Sequence, residues 1–427
     1  MARPASPIVT IWSHRPYAIF AGGMTPNLLA IWMQRLGVGW LAWELTHSTI
    51  WLGVVAAADL APVLVLSPFA GAAADRGHPL RQLRITQALI VAQAVALAGF
   101  TLLGLMTIEL LFGLALILGF LQPFSSAARH AIIPSTVPRD YFATAVALDS
   151  ALFQTSRFVG PAIAGVLIPL TGVGGTFVAN AIGAALFLGA LFYLDLPQPE
   201  RKEQERRDLL RDVGESFAYV RSHAGIWPVF LLLSVVSILI RPLQDMLPGF
   251  AGAVFEAGAV GLAWLTSSMG LGALVSATWI ATRGHTIGLT RIFILGCLGI
   301  AVSLLGFVAS DDLWMALPFA ALTAFALNTM STSTQALVQS AVADHMRGRV
   351  MSLYTLIFRG TPAIGTLGLG ILAESLGLRL AFAIAAGLCG AAWLVAAPRR
   401  GAMAAALEIA SRERKQEKGR DMTSGPT

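Results

Sequence analysis

The stretch GAAADRGHPLRQLR, Gly71 to Arg84, packs charge and glycine between two segments that carry almost no charge. The run that follows it, Ile85 to Ile108, has the length and apolarity that a bilayer-crossing helix needs, about 20 residues. A short arginine-rich stretch between two such runs has the composition of a loop retained on the cytoplasmic side of a membrane. A shortened echo, TRGHTIGLTR, returns at Thr282 to Arg291.

The whole chain has the same character. Of 427 residues, 56% are hydrophobic and 12% charged, and mean hydropathy is +0.72. Soluble domains carry about 25% charged residues, so lipid must be the solvent for much of this surface. Uncharged runs and runs with one or two embedded charges predict twelve spans, at roughly 17–45, 49–72, 84–106, 109–130, 141–170, 173–194, 226–249, 257–281, 290–309, 313–336, 349–374 and 378–397. The run from Phe158 to Leu194 is too long for one span and breaks at TGVGG, Thr171 to Gly175, as a hairpin. Apolar sequence runs from Tyr17 past Trp43 with no cleavage site, so the first helix is expected to be retained. Cys297 and Cys389 both lie inside apolar runs and read as small packing residues.

Arginine and lysine orient the spans. Arg3, Arg15, Arg76, Arg81, Arg84, Arg129, Arg139, the basic run from Arg201 to Arg221, Arg283, Arg291, Arg347, Arg349 and the tail from Arg399 fall on one side; the other side holds only Arg379. Both termini are therefore expected in the cytoplasm. The formal charge of +6 is a topology signal by this reading, and no nucleic-acid partner is expected. The organisation predicted is a six-helix bundle over 1–195, a cytoplasmic loop at 196–225 with a surface helix, a second six-helix bundle over 226–398 and a tail at 399–427.

The halves share local sequence. Arg76-Gly77-His78 and Arg283-Gly284-His285 match at an offset of 207 residues, as do Arg84 and Arg291; Arg35 and Arg241 lie 206 apart. Arg157 precedes Pro161-Ala162-Ile163, and Arg359 precedes Pro362-Ala363-Ile364. Parallel repeats of six spans are a transporter architecture with the substrate path near the bilayer midplane. The fold class expected is an all-α membrane protein, twelve helices in two pseudo-symmetric six-helix bundles.

Gly71-x-x-x-Asp75-Arg76 with Arg81 resembles the signature loop between spans two and three of the major facilitator superfamily, although Gly77 comes one place early and Pro79 stands where a basic residue is usual. WMQ at Trp32 to Gln34, WELTHS at Trp43 to Ser48, SRFVGPAIAG at Ser156 to Gly165 and RGRVMSLY at Arg347 to Tyr354 resemble one branch of it, the siderophore and multidrug exporters. In that branch position 149 is more often asparagine; here it is Asp149. The resemblance implies a bacterial inner-membrane exporter working by alternating access. It also implies a gating loop at Gly71, Asp75, Arg76 and Arg81, in which Asp75 meets the start of span eleven at Arg349 to Ser352. Gly71 is expected to permit close helix approach.

Charges within hydrocarbon are costly and mark paired or functional positions. Arg35, Arg157, Arg241 and Arg359 qualify, as do Asp59, Asp149 and Asp245. Arg35 lies twelve residues before the turn at His47 and Asp59 twelve after it, so the two reach similar depth on adjacent helices. Arg241 and Asp245 are four apart, which on one helix gives one face. The three aspartates are proton-coupling candidates, Asp59 first, and the four arginines are substrate or charge-pair candidates. The alternative is that Arg35–Asp59 is a permanent pair fixing helix packing. For Arg241–Asp245, and for Asp149 with Arg157, the structural reading is the stronger. Gly160, Pro161, Gly165 and Pro362 are hinge candidates, proline being able to kink a helix. Four arginines against three aspartates leave one positive charge over, which points toward an anionic substrate.

No phosphate-binding loop is present and only Lys202, Lys415 and Lys418 are lysines, so this chain alone is not expected to consume ATP. No metal, cofactor or enzymatic motif is found in the sequence. The expected function is proton-coupled export, by antiport, of a small organic molecule such as a siderophore, drug or organic anion. The expected partners are that substrate, protons and the lipid bilayer, and the expected state is a monomer. Proton-coupled import or uniport is the alternative, and an intramembrane enzyme or a structural membrane protein the competing class.

Overall fold

The computed structural model describes residues 10–196, 209–283, 288–342 and 346–409; within them, the side chains of Pro68, Asp75, Arg76, 209–213, Arg359 and Ile409 lie outside the description. The first six long helices are α1 (Arg15–Thr46), α2 (Thr49–Arg76), α3 (Pro79–Leu102), α4 (Ile108–Thr136), α5 (Phe142–Thr171) and α6 (Val173–Phe192). Then come α7 (Leu209–Ser222), α8 (Ile226–Leu239), α9 (Leu243–Gly249), α10 (Gly258–Arg283), α11 (Leu289–Ala309), α12 (Leu313–Ala341), α13 (Arg347–Leu376), α14 (Leu378–Ala396) and the short α15 (Arg400–Ala404).

Eleven segments among the described residues are long and apolar enough to cross a membrane. The expected count was twelve. The helix outside the eleven is α1, which has the length, 32 residues, but carries Asn27, Gln34, Arg35 and Glu44. The expected surface helix in the central loop is α7, amphipathic and polar on average.

Short connections make the hairpins. His47 in the left-handed region (φ 50°) ends α1, and the Ser48 hydroxyl accepts the Trp51 N–H to begin α2. Gly172 (φ 72°) and Gly377 (φ 80°) are each the single residue between two helices, a conformation glycine adopts without a Cβ penalty. Thr107 and Asp312 cap α4 and α12 by accepting the N–H groups of Leu110 and Met315.

The chain forms two compact units, residues 1–205 with 245–267, and residues 206–244 with 268–427. This differs from the division at the central loop, because the segment Asp245–Ser267 groups with the first six helices. Just before that segment stands Pro242, which cannot donate an N–H and disfavours helix in the residue before it. The expected span 226–249 is therefore interrupted at 240–242, and α8 and α9 are separate helices.

In lipid, helices associate through close van der Waals approach and interhelical hydrogen bonds. The first unit uses both. A Cβ placed on Gly183 of α6 would lie 2.9 Å from the Ala30 side chain and from the Pro26 carbonyl of α1. Phe20 and Phe187 meet edge to face at 5.8 Å. Gln87 donates to Asn27 Oδ1 and to the Ala184 carbonyl, Asn180 donates to Gln34 Oε1 at 2.6 Å, and Gln93 donates to the Leu114 carbonyl. Those amides tie helices together.

The second unit packs α11 on α12 and α14. Asn328 donates to the Ala273 carbonyl and Ser276 pairs with Thr329 at 2.7 Å. Cys297 and Cys389, expected as small packing residues, face each other with sulfurs 3.6 Å apart and fully buried. The outer surface carries large exposed apolar side chains such as Leu170, Val166 and Leu394, as lipid-facing helices require.

Candidate functional site

A cluster of charges inside the helices lies in the first unit. Arg35, in the second half of α1, donates from Nη2 to Asp245 Oδ1 of α9 at 3.1 Å, and its Nη1 lies 3.8 Å from Asp59 Oδ2 of α2. One guanidinium thus serves two carboxylates. The hydrogen-bonded Asp245 side chain is 12% exposed and the looser Asp59 side chain 27%. Trp32, one turn before Arg35, has the Arg35 guanidinium 5.8 Å from its ring and the Arg157 guanidinium of α5 at 5.5 Å. A guanidinium within about 6 Å of an indole is attracted by the ring quadrupole. Phe153 meets the same indole edge to face.

Close backbone approach fixes this geometry. A Cβ on Gly119 of α4 would lie 2.5 Å from the Ala58 carbonyl and 2.9 Å from the Asp59 carbonyl, so α4 presses directly on the segment carrying Asp59. A Cβ on Gly39, one turn beyond Arg35, would lie 3.1 Å from Pro248, which is one turn beyond Asp245. Gly252 abuts the Trp43 indole, and Gly160 lies against Trp32 and the Leu29 carbonyl. Gly165 abuts Ala263 of α10.

The structure therefore brings together Arg35, Asp59 and Asp245, with Arg157 joined to them through Trp32. Asp245 bonds to Arg35, Arg241 lies 3.9 Å from the centre of the Phe358 ring, and the break at Pro242 leaves Arg241 outside the helix that carries Asp245. Asp149 likewise pairs elsewhere. Arg129 of α4 donates to it at 3.0 Å, and Arg157 is on Trp32. The arginine pattern alone identifies Arg129 only as a topology charge. The Arg359 side chain lies outside the described residues.

Among hinge candidates, α5 runs through Gly160, Pro161 and Gly165 as one helix, and α13 runs through Pro362. Gly160 and Gly165 are close-approach residues in this structure.

In the gating loop, α2 ends at Arg76 and α3 begins at Pro79. The side chains of Asp75 and Arg76 lie outside the described residues, and Arg81 is exposed. Gly71 does not serve the expected close approach: a Cβ there would meet no atom within 4 Å. Arg349, at the start of α13, pairs with Glu215 of α7 at 2.6 Å. Arg84 donates to the carbonyls of Leu191 and Leu194 and so satisfies the end of α6.

The profile of the family described as "Transmembrane secretion effector" (MFS_3) matches residues 17–422. The chain is 25% identical over 360 residues to the staphyloferrin A transporter of Staphylococcus aureus, covering 83% of this chain and 89% of that one. It is 21% identical to macrolide efflux protein A of Streptococcus pyogenes, covering 86% and 91%. The multidrug efflux pump Tap of Mycolicibacterium fortuitum is 24% identical, covering 80% and 85%. Among solved structures, the nucleoside transporter NupG superposes with TM-score 0.67 at 14% identity, covering 89% of this chain and 98% of that one. The D-xylose-proton symporter gives 0.66 at 15%, covering 90% and 97%. These likenesses show the fold alone: a multi-pass, all-helical membrane transporter fold.

Proposed function

The chain belongs to the transmembrane secretion effector family of the major facilitator transporters, and on that premise we propose that it exports a small organic molecule in exchange for protons. The observation that carries the reading is the single guanidinium shared by two carboxylates, Arg35 with Asp59 and Asp245. In a medium of low dielectric, an uncompensated carboxylate is relieved by taking up a proton. Arg35 compensates Asp245 by a direct hydrogen bond and Asp59 only at 3.8 Å, so Asp59 is the carboxylate that exchanges its proton.

Proton uptake at Asp59 frees Arg35 to engage Asp245 alone. Proton release divides the guanidinium between the two. The protonation state thus sets the strength of the α1–α9 tie, which joins the expected first bundle, 1–195, to a segment of the expected second, 226–398. This couples proton movement to alternating access. Asp149, held by Arg129, is assigned to structure. The names of the relatives support siderophores and drugs as substrate classes, and outward transport as direction. We assign the chain to the bacterial inner membrane as a monomer with both termini in the cytoplasm.

The test is reconstitution in vesicles with an imposed pH gradient, probed with staphyloferrin A, a macrolide and ethidium. Wild-type protein is expected to move at least one probe against the proton gradient. Asp59→Asn should lose pH-driven flux by about tenfold or more while retaining gradient-free exchange of the same probe, because a removed coupling group leaves binding intact. Undiminished pH-driven flux in Asp59→Asn would overturn its assigned role.

A further inference from the structure

A basic cavity of about 420 Å³ lies in the second unit, where α11 begins and α14 ends; Gly288, Arg291, Arg400, Gly401, Ala404 and Glu408 line it. One wall is the chain beyond α14, which folds back as the turn Ala397–Arg399, α15 and the wide turn Ala405–Ile409. Met403 and Leu407 anchor that wall with fully buried side chains. Glu408 fastens it. Its two carboxylate oxygens accept the backbone N–H groups of Gly288 at 2.7 Å and Thr290 at 2.8 Å. Helix-starting N–H groups lack an intrahelical acceptor, and a carboxylate there is also favoured by the helix dipole.

Glu408 also lines the cavity, and its one negative charge set against the two guanidiniums of Arg291 and Arg400 leaves the lining net positive. Neither the Arg291 nor the Arg400 guanidinium forms a hydrogen bond or ion pair among the described residues. The Glu408 carboxylate offsets one of the two guanidiniums, and the positive charge that remains favours an anion in the cavity. The surroundings say what kind of anion. On α11 the residues Arg291, Leu295 and Val302 share one face, spaced four and then seven apart, and Leu295 and Val302 are 50% and 59% exposed. On α14 the last turn exposes Leu394 and Val395 at 64% and 61% just before Arg400. The basic cavity thus opens where two exposed apolar faces end. A ligand with an anionic head and apolar tails satisfies both features; basic pockets beside membrane helices recognise lipid headgroups in this way.

We propose that this cavity binds the phosphate headgroup of an anionic membrane lipid between Arg291 and Arg400, with acyl chains lying on α11 and α14. A free phosphate shares the headgroup chemistry but makes no use of the apolar faces. Native mass spectrometry of the full chain in detergent separates the two, titrated with dioleoyl phosphatidylglycerol, with phosphatidylcholine of the same chains, and with inorganic phosphate. The expected order is phosphatidylglycerol well above phosphatidylcholine, with inorganic phosphate failing to displace it. Arg291→Gln and Arg400→Gln should each weaken phosphatidylglycerol binding about fivefold, and both together roughly 25-fold. Glu408→Gln adds net positive charge but unfastens the wall, so a built cavity predicts weaker binding where general surface charge predicts stronger. Unchanged affinity in the arginine variants, stronger binding in Glu408→Gln, or inorganic phosphate binding as tightly as the lipid would each overturn the assignment.

Discussion

At the residue scale, two ion pairs with similar chemistry are assigned different work. Arg129–Asp149 is tight and shielded, with side chains 14% and 10% exposed, whereas the Arg35 side chain is 41% exposed and shared between partners. Removing one member of a shielded pair leaves the other charged and without compensation, which costs roughly 3–5 kcal/mol. Arg129→Met is therefore expected to lower thermal stability in detergent sharply, and Arg129→Met with Asp149→Leu to recover most of the loss, since replacing both charges by apolar groups is close to neutral. A double variant as unstable as the single one would show that the pair is not what holds α4 to α5. The Arg35–Asp59 proximity was legible in the sequence because both residues are counted from one short turn at His47. Asp245 was not, since its partner lies 210 residues away and local spacing pointed to Arg241. Pro242 was the signal that overrules that spacing: a proline between two residues four apart removes the helix that would align them. Arg129 was missed for another reason. Charge counting reads an arginine near a span end as a loop residue, whereas α4 continues to Thr136 and turns it inward.

At the scale of elements, backbone contact rather than side-chain size sets where Asp59 sits. Gly113 and Gly119 are both on α4, yet a Cβ on Gly113 would meet nothing within 4 Å, while one on Gly119 would strike the carbonyls of Ala58 and Asp59. A carbonyl cannot swing aside as a side chain can, so the helices must separate. Overpacking of this kind costs about 1–3 kcal/mol. Gly119→Ala is expected to lower both the melting temperature and pH-driven flux; Gly113→Ala should leave both unchanged or raise stability slightly, alanine being the better helix former. Equal effects from the two would mean that the α2–α4 approach does not position the aspartate. Hairpin turns, spans and the central surface helix were legible from composition. Which glycines are contacts was not: Gly71 looked like one and meets nothing, because burial of a glycine depends on the neighbouring helix and leaves no trace in local sequence.

At the scale of the whole molecule, the distribution of arginine predicts the orientation of every helix, and its one exception has a local explanation. Arg379 is the sole basic residue among the loops expected outside. Its Nη1 donates to the Val308 carbonyl at 3.2 Å and lies 3.8 Å from Asp311, whose side chain is 94% exposed. The pair adds little stability at the surface, and a lone arginine there leaves the Lys/Arg bias toward the opposite side intact. Single cysteines read this orientation directly. Cys297 and Cys389 are fully buried and stay silent toward a bulky, charged maleimide. Asp311→Cys is therefore expected to label on intact cells, whereas Arg81→Cys and Arg400→Cys, both exposed, should label only after the membrane is opened. The reverse pattern would place the arginine-rich loops outside, and with them the basic cavity at Arg291 and Arg400. Labelling of Asp311→Cys and Arg81→Cys from the same side would contradict the helix count between them.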